Sequence, residues 1–309
     1  MNKALNKLNT AIHEARQIAG ETLDALNDLN SPTVSAAFTP LFKPEDVGGL
    51  KTIFSLIQNA DTNDLQIFVY CAEDHMRWSD KRNMWYDNAY KYKDKKGITQ
   101  SIKIYFKDSD TSNTVSPGQK GSYTSHGYRV PIGAREHDVA DCSNQAHIFV
   151  HPTRIDPPAG TKHDHRPLGD IRAFGLKEGF TALQDLKPLA ETILHEVCLF
   201  HIIFSLMGGL RDPKKPNLKI TDGANPGIYG YEKCAAVNAG RGLLSPSPTG
   251  IADCYVVLAK ALFLRRIQQK DVFWSLGAVK IPDEDGDKFE PIDIPGEQQR
   301  KRLASAWWG

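Results

Sequence analysis

Residues 194–203, which read LHEVCLFHII, begin like the zinc-protease motif H-E-x-x-H. In that motif the two histidines lie four residues apart, so they share one helix face and bind one Zn²⁺. The glutamate beside the first histidine polarises the metal-bound water. His195 and Glu196 fit this pattern, but Leu199 stands where the second histidine is required. The stretch is therefore compatible with a metal site, with a degenerate metal site, or with a buried helix that carries two histidines.

His201 is the next histidine after His195. A helix turns by about 100° per residue, so His201 lies roughly 120° around the axis from His195. Both side chains could bind one metal only if the helix ended or kinked between them. Because the apolar run continues through Phe204, we expect no helix end there. His201 is therefore interpreted as a core or back-face histidine, and as a replacement zinc ligand only in the alternative given below.

The helix predicted around Glu196 is apolar on nearly every side, which indicates that it is buried. Its apolar positions are Leu189, Ile193, Leu194, Val197, Phe200, Ile203 and Phe204. A charged glutamate in such a helix is costly unless it is paired or faces a cavity. Glu196 therefore predicts a pocket, either active or inherited.

Helices are predicted at both ends of the chain, with strands between them. Apolar residues recur with a helical period over residues 2–28 and again from Pro44 onward. The predicted strands are residues 65–71, 100–106 and 146–152. Helices return from about residue 187, and a strong one covers 249–268 with Thr249 as its cap. This order predicts an α+β fold rather than alternating βαβ units.

Composition argues against several classes of function. The chain has 309 residues and a net charge of +1, so no overall field indicates a nucleic-acid or anionic-membrane partner. The longest apolar run falls short of the roughly 20 residues that a membrane span requires. The five cysteines form no C-x-x-C pair. Because no signal peptide is visible, we expect either a cytoplasmic protein or a secreted protein whose leader has been removed.

Three stretches resemble the C-terminal half of one family of metallopeptidases. They are ETILHEVCLFH, TDGANPGIYGYEKC and GIADCYVVLAKAL. They resemble the fungal-type deuterolysin and lysine-specific metalloendopeptidase group, the aspzincins. In that group an H-E-x-x-H helix is followed by G-T-x-D-x-x-Y-G, whose Asp is the third zinc ligand, and then by a helix that starts like N-A-D-x-Y. The resemblance implies a zincin-like domain over residues 1–276, with residues 277–309 as a surface tail.

The resemblance assigns roles to individual positions of this chain. His195 matches the first zinc histidine, and Glu196 matches the general base. Tyr229 matches the tyrosine whose phenol lies over the pocket, and it is followed by Gly230 as in the family's motif. Asp253 matches the aspartate of the last helix, between Ala252 and a tyrosine two residues later.

Two positions depart from the family's pattern. Leu199 replaces the second zinc histidine, and Pro226 stands where the third ligand, an aspartate, is expected. Asp222 lies nearby, but its spacing does not match directly. A catalytic zinc site normally needs three protein ligands. We therefore expect an incomplete zinc site.

These observations favour a metallopeptidase-like protein in which peptide hydrolysis is lost or the pocket is repurposed for binding or other chemistry. We expect no zinc in this case, and a peptide or small-molecule ligand in the pocket formed by His195 and Glu196. The alternative is an active zinc endopeptidase with the shifted ligand set His195, His201 and Asp222, in which Glu196 and Tyr229 are catalytic. A protein unrelated to zincins is a third hypothesis.

Overall fold

The computed structural model describes residues 3–59, 66–70, 76–79, 84–93, 99–104, 145–150, 152–199, 211–212, 215–220, 227–240, 247–275 and 277–280. The helices are α1 (Lys3–Ala25), α2 (Pro32–Phe38), α3 (Val47–Gln58), α4 (Pro152–Ile155), α5 (Leu168–Phe174), α6 (Leu189–Leu199), α7 (Tyr231–Asn238) and α8 (Ala252–Phe263). Turns of 3₁₀ helix precede α3, α6 and α8 at Pro44–Asp46, Leu183–Asp185 and Pro248–Gly250.

The strands of the described residues are short. They are β1 (Gln66–Tyr70), β2 (Met76–Ser79), β3 (Met84–Lys93), β4 (Thr99–Ile104), β5 (Gln145–Phe149), β6 (Arg211–Asp212), β7 (Lys215–Lys219), β8 (Arg266–Ile267), β9 (Lys270–Asp271), β10 (Phe273–Ser275) and β11 (Ala278–Lys280). β1 and β5 pair in parallel, while β2, β3 and β4 form an antiparallel sheet. The remaining strands form antiparallel pairs: β6 with β7, β8 with β9, and β10 with β11. Most of these pairs are antiparallel and no alternating βαβ series occurs among the described residues, which confirms the α+β prediction.

The core is built by helix packing. Helix α1 contacts α3, α6 and α8, and α6 packs directly against α8. The buried face of α1 carries Leu8, Ala11, Ala15, Ile18 and Ala19, which recur with the helical period. Small alanines on this face let the neighbouring helices approach closely. The predicted helices at the N-terminus are therefore confirmed as α1 and α3.

Helix α8 lies at the centre of this core, because every one of its residues is buried. Two of them, Asp253 and Lys260, carry charge, and a buried charge is tolerated only when it is paired or hydrogen-bonded. The Lys260 Nζ donates to the carbonyl oxygens of Leu183 and Leu186 at 2.8 Å each, and to Glu191 Oε2 at 3.0 Å. Its ammonium therefore hydrogen-bonds both to backbone carbonyls at the 3₁₀ turn before α6 and to a carboxylate in the first turn of α6.

Glu191 is the acceptor for two cations. Lys187 Nζ donates to its other carboxylate oxygen at 2.8 Å. Burial alone raises the pKa of Glu191, but Lys260, Lys187 and Arg154 outweigh this effect and lower the pKa to about 2. Arg154 donates in turn to Thr192 Oγ1 at 2.7 Å and to the Pro188 carbonyl at 2.8 Å. The start of α6 is thus fixed by buried ionic and hydrogen bonds.

The predicted start of the last helix differs from the structure. α8 begins at Ala252, and the residue before it makes no side-chain cap. Thr249 lies in the preceding 3₁₀ turn, where its hydroxyl is 2.7 Å from that of Ser247. The β10–β11 hairpin spans residue 277, and Val279 within it is buried. Residues 281–309 lie outside the described part.

None of the helices among the described residues has both the length and the apolar character that a membrane crossing requires. The helix that carries His195 and Glu196, α6, packs against α1 and α8 instead.

We predict that Glu191 makes stability pH-dependent in the acidic range. Its pKa falls from an ordinary value of 4.5 to about 2 on folding, so the folded state binds fewer protons. This contribution, about 3 kcal/mol, is fully present above about pH 5 and is lost as the pH falls toward 2. Urea denaturation of the parent and of Glu191→Gln between pH 2 and 6 measures it. The free energy of unfolding of the variant should change much less with pH than that of the parent. An equal pH dependence in both proteins would contradict the prediction.

Candidate functional site

The candidate site begins on α6, where His195 and Glu196 follow one another. Both are buried, with 5% and 1% of their surface exposed. Pro188 directly precedes α6, and its carbonyl accepts the Glu191 N–H at 3.2 Å, as expected for a first helical turn. His195 lies one turn after Glu191 on the same face, because residues four apart on a helix are neighbours.

Asp253 is the residue of α8 that meets His195. Its Oδ1 lies 3.4 Å from His195 Nδ1, and its Oδ2 accepts a hydrogen bond from the backbone N–H of Gly230. The carboxylate is only 6% exposed and lies in the first turn of α8. The positive end of the helix dipole favours a negative charge at this position. Asp253 therefore links α6, α8 and the segment that precedes α7.

Two side-chain contacts join α6 to α8. In the first the acidic residue lies on α6, and in the second it lies on α8. Glu191 contacts Lys260 near the start of α6, and His195 contacts Asp253 one turn further on. Along α8 the order is reversed, since Asp253 precedes Lys260 by two turns. The two helices therefore run antiparallel where they carry these pairs. The buried ion pair fixes the register that brings the histidine and the aspartate together.

Tyr229 forms the exposed side of the cluster. Its ring centroid lies 5.9 Å from that of His195, with 34° between the ring planes, and the residue is 41% exposed. Two glycines make this position accessible. A side chain at Gly227 would overlap the Tyr229 ring, and Gly230 has a φ of 84°, which other residues rarely adopt. The chain can thus turn and direct the Gly230 N–H at Asp253.

The contact with Asp253 orients the His195 ring. A carboxylate beside Nδ1 favours the proton on that nitrogen, so the lone pair lies on Nε2. The 3.4 Å separation is longer than an ordinary N–H···O hydrogen bond, so the contact is a weak electrostatic one. An imidazole held in this way can accept a proton, a hydrogen bond or a metal ion through Nε2.

The charged residues at the start of α6 also interact electrostatically with Asp253 of the site. Burial lowers the pKa of Lys187, but Glu191 and, more weakly, Asp253 raise it, and the net pKa lies above its usual range. One turn beyond His195, burial raises the pKa of the Cys198 thiol, and Asp253 adds to this effect. Cys198 is therefore kept as a neutral thiol.

The structure describes some of the predicted site residues. His195 and Tyr229 lie together, and Glu196 is buried next to His195 on α6. His201 and Asp222, the remaining ligands of the shifted zinc set, lie outside the described residues. Within the described ranges, no group of three or more His, Cys, Asp or Glu side chains is placed to hold a metal ion. The described residues therefore do not make a complete zinc site.

Asp253 is the residue whose role sequence reasoning missed. The sequence places it in the last helix of the resemblance but does not connect it to His195. The available signal is its charge, because an acidic residue in the first turn of a helix that is apolar apart from Asp253 and Lys260 requires a buried partner. The identity of that partner depends on the register between α6 and α8, which no local pattern reveals.

Comparisons with known proteins give no relative that could supply a function. No protein-family model matches the chain, and no curated protein or solved structure matches it at a significant level.

We predict that Asp253→Asn reverses the tautomer of His195. The amide oxygen can still accept the Gly230 N–H, which turns the amide NH₂ toward Nδ1 and moves the ring proton to Nε2. ¹⁵N spectra of histidine-labelled protein should show Nδ1–H in the parent and Nε2–H in the variant. Loss of the buried charge contact should lower the free energy of unfolding by about 1–3 kcal/mol.

Asp271→Asn is the matched control for this prediction. Asp271 also pairs with a cation, Arg266, but both side chains are more than half exposed. The control should leave the His195 signals unchanged and alter stability by less than about 1 kcal/mol. Identical His195 spectra in the parent and in Asp253→Asn would contradict the proposed orientation.

Proposed function

We propose that this chain is a zincin-like, metallopeptidase-like protein whose inherited pocket has lost peptide hydrolysis and binds a peptide or small molecule. One observation carries the proposal. His195 from α6, Tyr229 from the segment before α7, and Asp253 from α8 lie in three separate stretches of sequence, and all three meet at one point. These are the three stretches that resemble the aspzincin group. Their convergence supports a common site rather than three unrelated similarities.

The loss of hydrolysis follows from the chemistry of two positions. Leu199 ends α6 where the group has its second zinc histidine, and an aliphatic side chain provides no lone pair. Pro226 stands where the group has its aspartate ligand. Without these ligands, His195 alone cannot hold a catalytic zinc in the usual three-ligand site. The proposed activity is therefore binding.

The surface of the site suits a ligand with polar groups. Tyr229 offers an exposed aromatic face and a phenol that can donate or accept a hydrogen bond. Behind it lies His195, with its ring orientation set by Asp253. A peptide backbone or a small molecule with an amide or carboxyl group has matching donors and acceptors. Glu196 lies deeper in α6, next to His195 in sequence.

One contact favours a second candidate, an active zinc endopeptidase with a shifted ligand set. Histidines that bind metal through one ring nitrogen commonly have a carboxylate at the other, which is what Asp253 offers to His195. In this candidate His201 and Asp222 would complete the zinc ligands, and Glu196 and Tyr229 would serve as general base and electrophile.

We predict that the full-length protein, purified without chelator, contains less than about a tenth of an equivalent of zinc, because two of three ligand positions are substituted. Casein cleavage should be indistinguishable from that of Glu196→Gln and unaffected by chelator. Elemental analysis and a fluorescent casein assay measure both. Stoichiometric zinc that Asp222→Ala releases, together with cleavage that Glu196→Gln abolishes, would establish the second candidate instead.

We further predict that Leu199→His combined with Pro226→Asp creates zinc binding. The two substitutions restore the ligand positions of the aspzincin group around His195. Isothermal titration with Zn²⁺ should give one site per chain in the double variant. Adding His195→Ala to the double variant is the matched control and should remove that site. A folded double variant that binds no zinc would refute the inherited-site proposal.

A further inference from the structure

A cleft lies on the surface between the end of α5 and the β8–β9 hairpin, and we call it the hairpin cleft. Its volume of about 710 Å³ is within the range of small-molecule binding sites. It is lined by Arg172, Ala173, Arg266, Gln268 and Gln269. Four of these five side chains are hydrogen-bond donors, so the cleft is suited to a ligand that accepts hydrogen bonds.

The Arg172 guanidinium is held in place at the α5 side of the cleft. It lies 4.2 Å from the centroid of the buried Phe263 ring, and its Nη1 donates to the Glu21 carboxylate. The Arg172 carbonyl accepts the Gln268 N–H at 2.8 Å, which joins the hairpin to α5. Among the described residues, Nε and Nη2 of Arg172 have no acceptor. A guanidinium fixed in this way can offer both donors to a ligand at little further cost in side-chain entropy.

The hairpin supplies the other donors of the cleft. Arg266 Nε lies 3.2 Å from Asp271 Oδ1, and Nη2 is 3.5 Å from the Gln269 carbonyl, which is at the limit of a hydrogen bond. The side-chain amides of Gln268 and Gln269 have no hydrogen-bond partner in the described part of the chain. A side chain at Gly175 would contact the Gln268 amide, so the glycine that ends α5 leaves room for this group.

The turn that carries the two glutamines has an unusual backbone for these residues. Gln268 and Gln269 alone connect β8 to β9, and their φ angles are 50° and 65°. Two-residue hairpin turns with positive φ at both positions favour Asn-Gly or Gly-Gly, because other side chains are strained there. Strain of this kind persists mainly where a side chain is needed for function. The turn therefore favours a role for the two amides.

We propose that the hairpin cleft binds the free C-terminal carboxylate of a peptide. A carboxylate matches the fork of guanidinium donors in both shape and charge. The two primary amides can donate to and accept from the peptide groups that precede the carboxylate. Glu21 and Asp271 already lie beside the two arginines, and their charges disfavour a dianionic phosphate more strongly than a monoanionic carboxylate.

This cleft is separate from the candidate site around His195. Asp253 lies in the first turn of α8, and Arg266 follows the other end of that helix. The 12 residues of α8 span about 18 Å. The proposal for the hairpin cleft therefore does not depend on the proposed function.

A titration of the full-length ¹⁵N-labelled protein tests the proposal. The probes are N-acetyl-trialanine with a free carboxylate, the same peptide with a C-terminal amide, and inorganic phosphate. The free acid should shift the side-chain signals of Arg172, Gln268 and Gln269 in a saturable way. The amide should bind at least about tenfold more weakly, because it lacks the charge-assisted hydrogen bonds. Equal binding of acid and amide, no saturable shift with the acid, or tighter binding of phosphate would overturn the proposal.

Variants separate the cleft from general charge effects. Arg266→Gln removes an exposed guanidinium and should weaken binding of the free acid at least about tenfold. Lys51→Gln on α3 removes the same charge outside the cleft and should leave the affinity unchanged. Unchanged affinity in Arg266→Gln, or an equal loss in Lys51→Gln, counts against the proposal.

The turn itself provides a variant that separates binding from stability. Gln268→Asn with Gln269→Gly gives the turn its preferred residues, so the protein should melt about 2 °C higher. The same double substitution shortens one amide and removes the other, so it should bind the free acid more weakly. A double variant that binds the free acid as tightly as the parent would overturn the role of the glutamines and with it the proposal.

Discussion

The rest of the structure depends on the contacts of the buried Lys260 ammonium. It lies inside a helix that is buried along its whole length, and it satisfies two backbone carbonyls and the Glu191 carboxylate at once. An amphipathic helix can rotate or slide on a neighbour at modest cost, because apolar contacts are not directional. A helix with a buried charge that has three specified acceptors cannot rotate or slide in this way. Each lost hydrogen-bond partner would leave a desolvated polar group. Lys260 thereby specifies how α8 meets α6.

The candidate site follows from that register. Since α6 and α8 are antiparallel where Glu191 meets Lys260, the next turn of α6 places His195 beside the first turn of α8, where Asp253 lies. The same carboxylate accepts a backbone N–H from the segment before α7 and so brings Tyr229 over the histidine. The site is therefore assembled from elements of the helical core, and its three buried side chains, those of His195, Glu196 and Asp253, are positioned by helices. Only Tyr229 is presented by a loop.

The features that could be predicted from sequence are those with a local physical cause. The periodic apolar faces of α1 and α3 are visible in the chain, as is the buried character of α6 around Glu196. The β2–β3 pair is missed because its polar and aromatic residues follow no regular alternation. The Asp253–His195 contact joins residues 58 positions apart, and the partner of a buried charge is decided by helix register. The metal ligand prediction for His201 and Asp222 remains a prediction.

The burial of α8 also determines how the site is lost when the protein unfolds. The residues that contact α8 come from α1, α2, α6 and α7 as well as from the turn before α6, so α8 cannot be exposed without opening the whole helical core. Its backbone amides are therefore protected by the global free energy of unfolding rather than by a local one. Asp253 belongs to this helix, so its contacts with His195 and Gly230 form one cooperative unit with the core. A partly unfolded chain that has lost α8 retains no reduced form of this cluster, and the cluster and the tertiary structure disappear in the same transition.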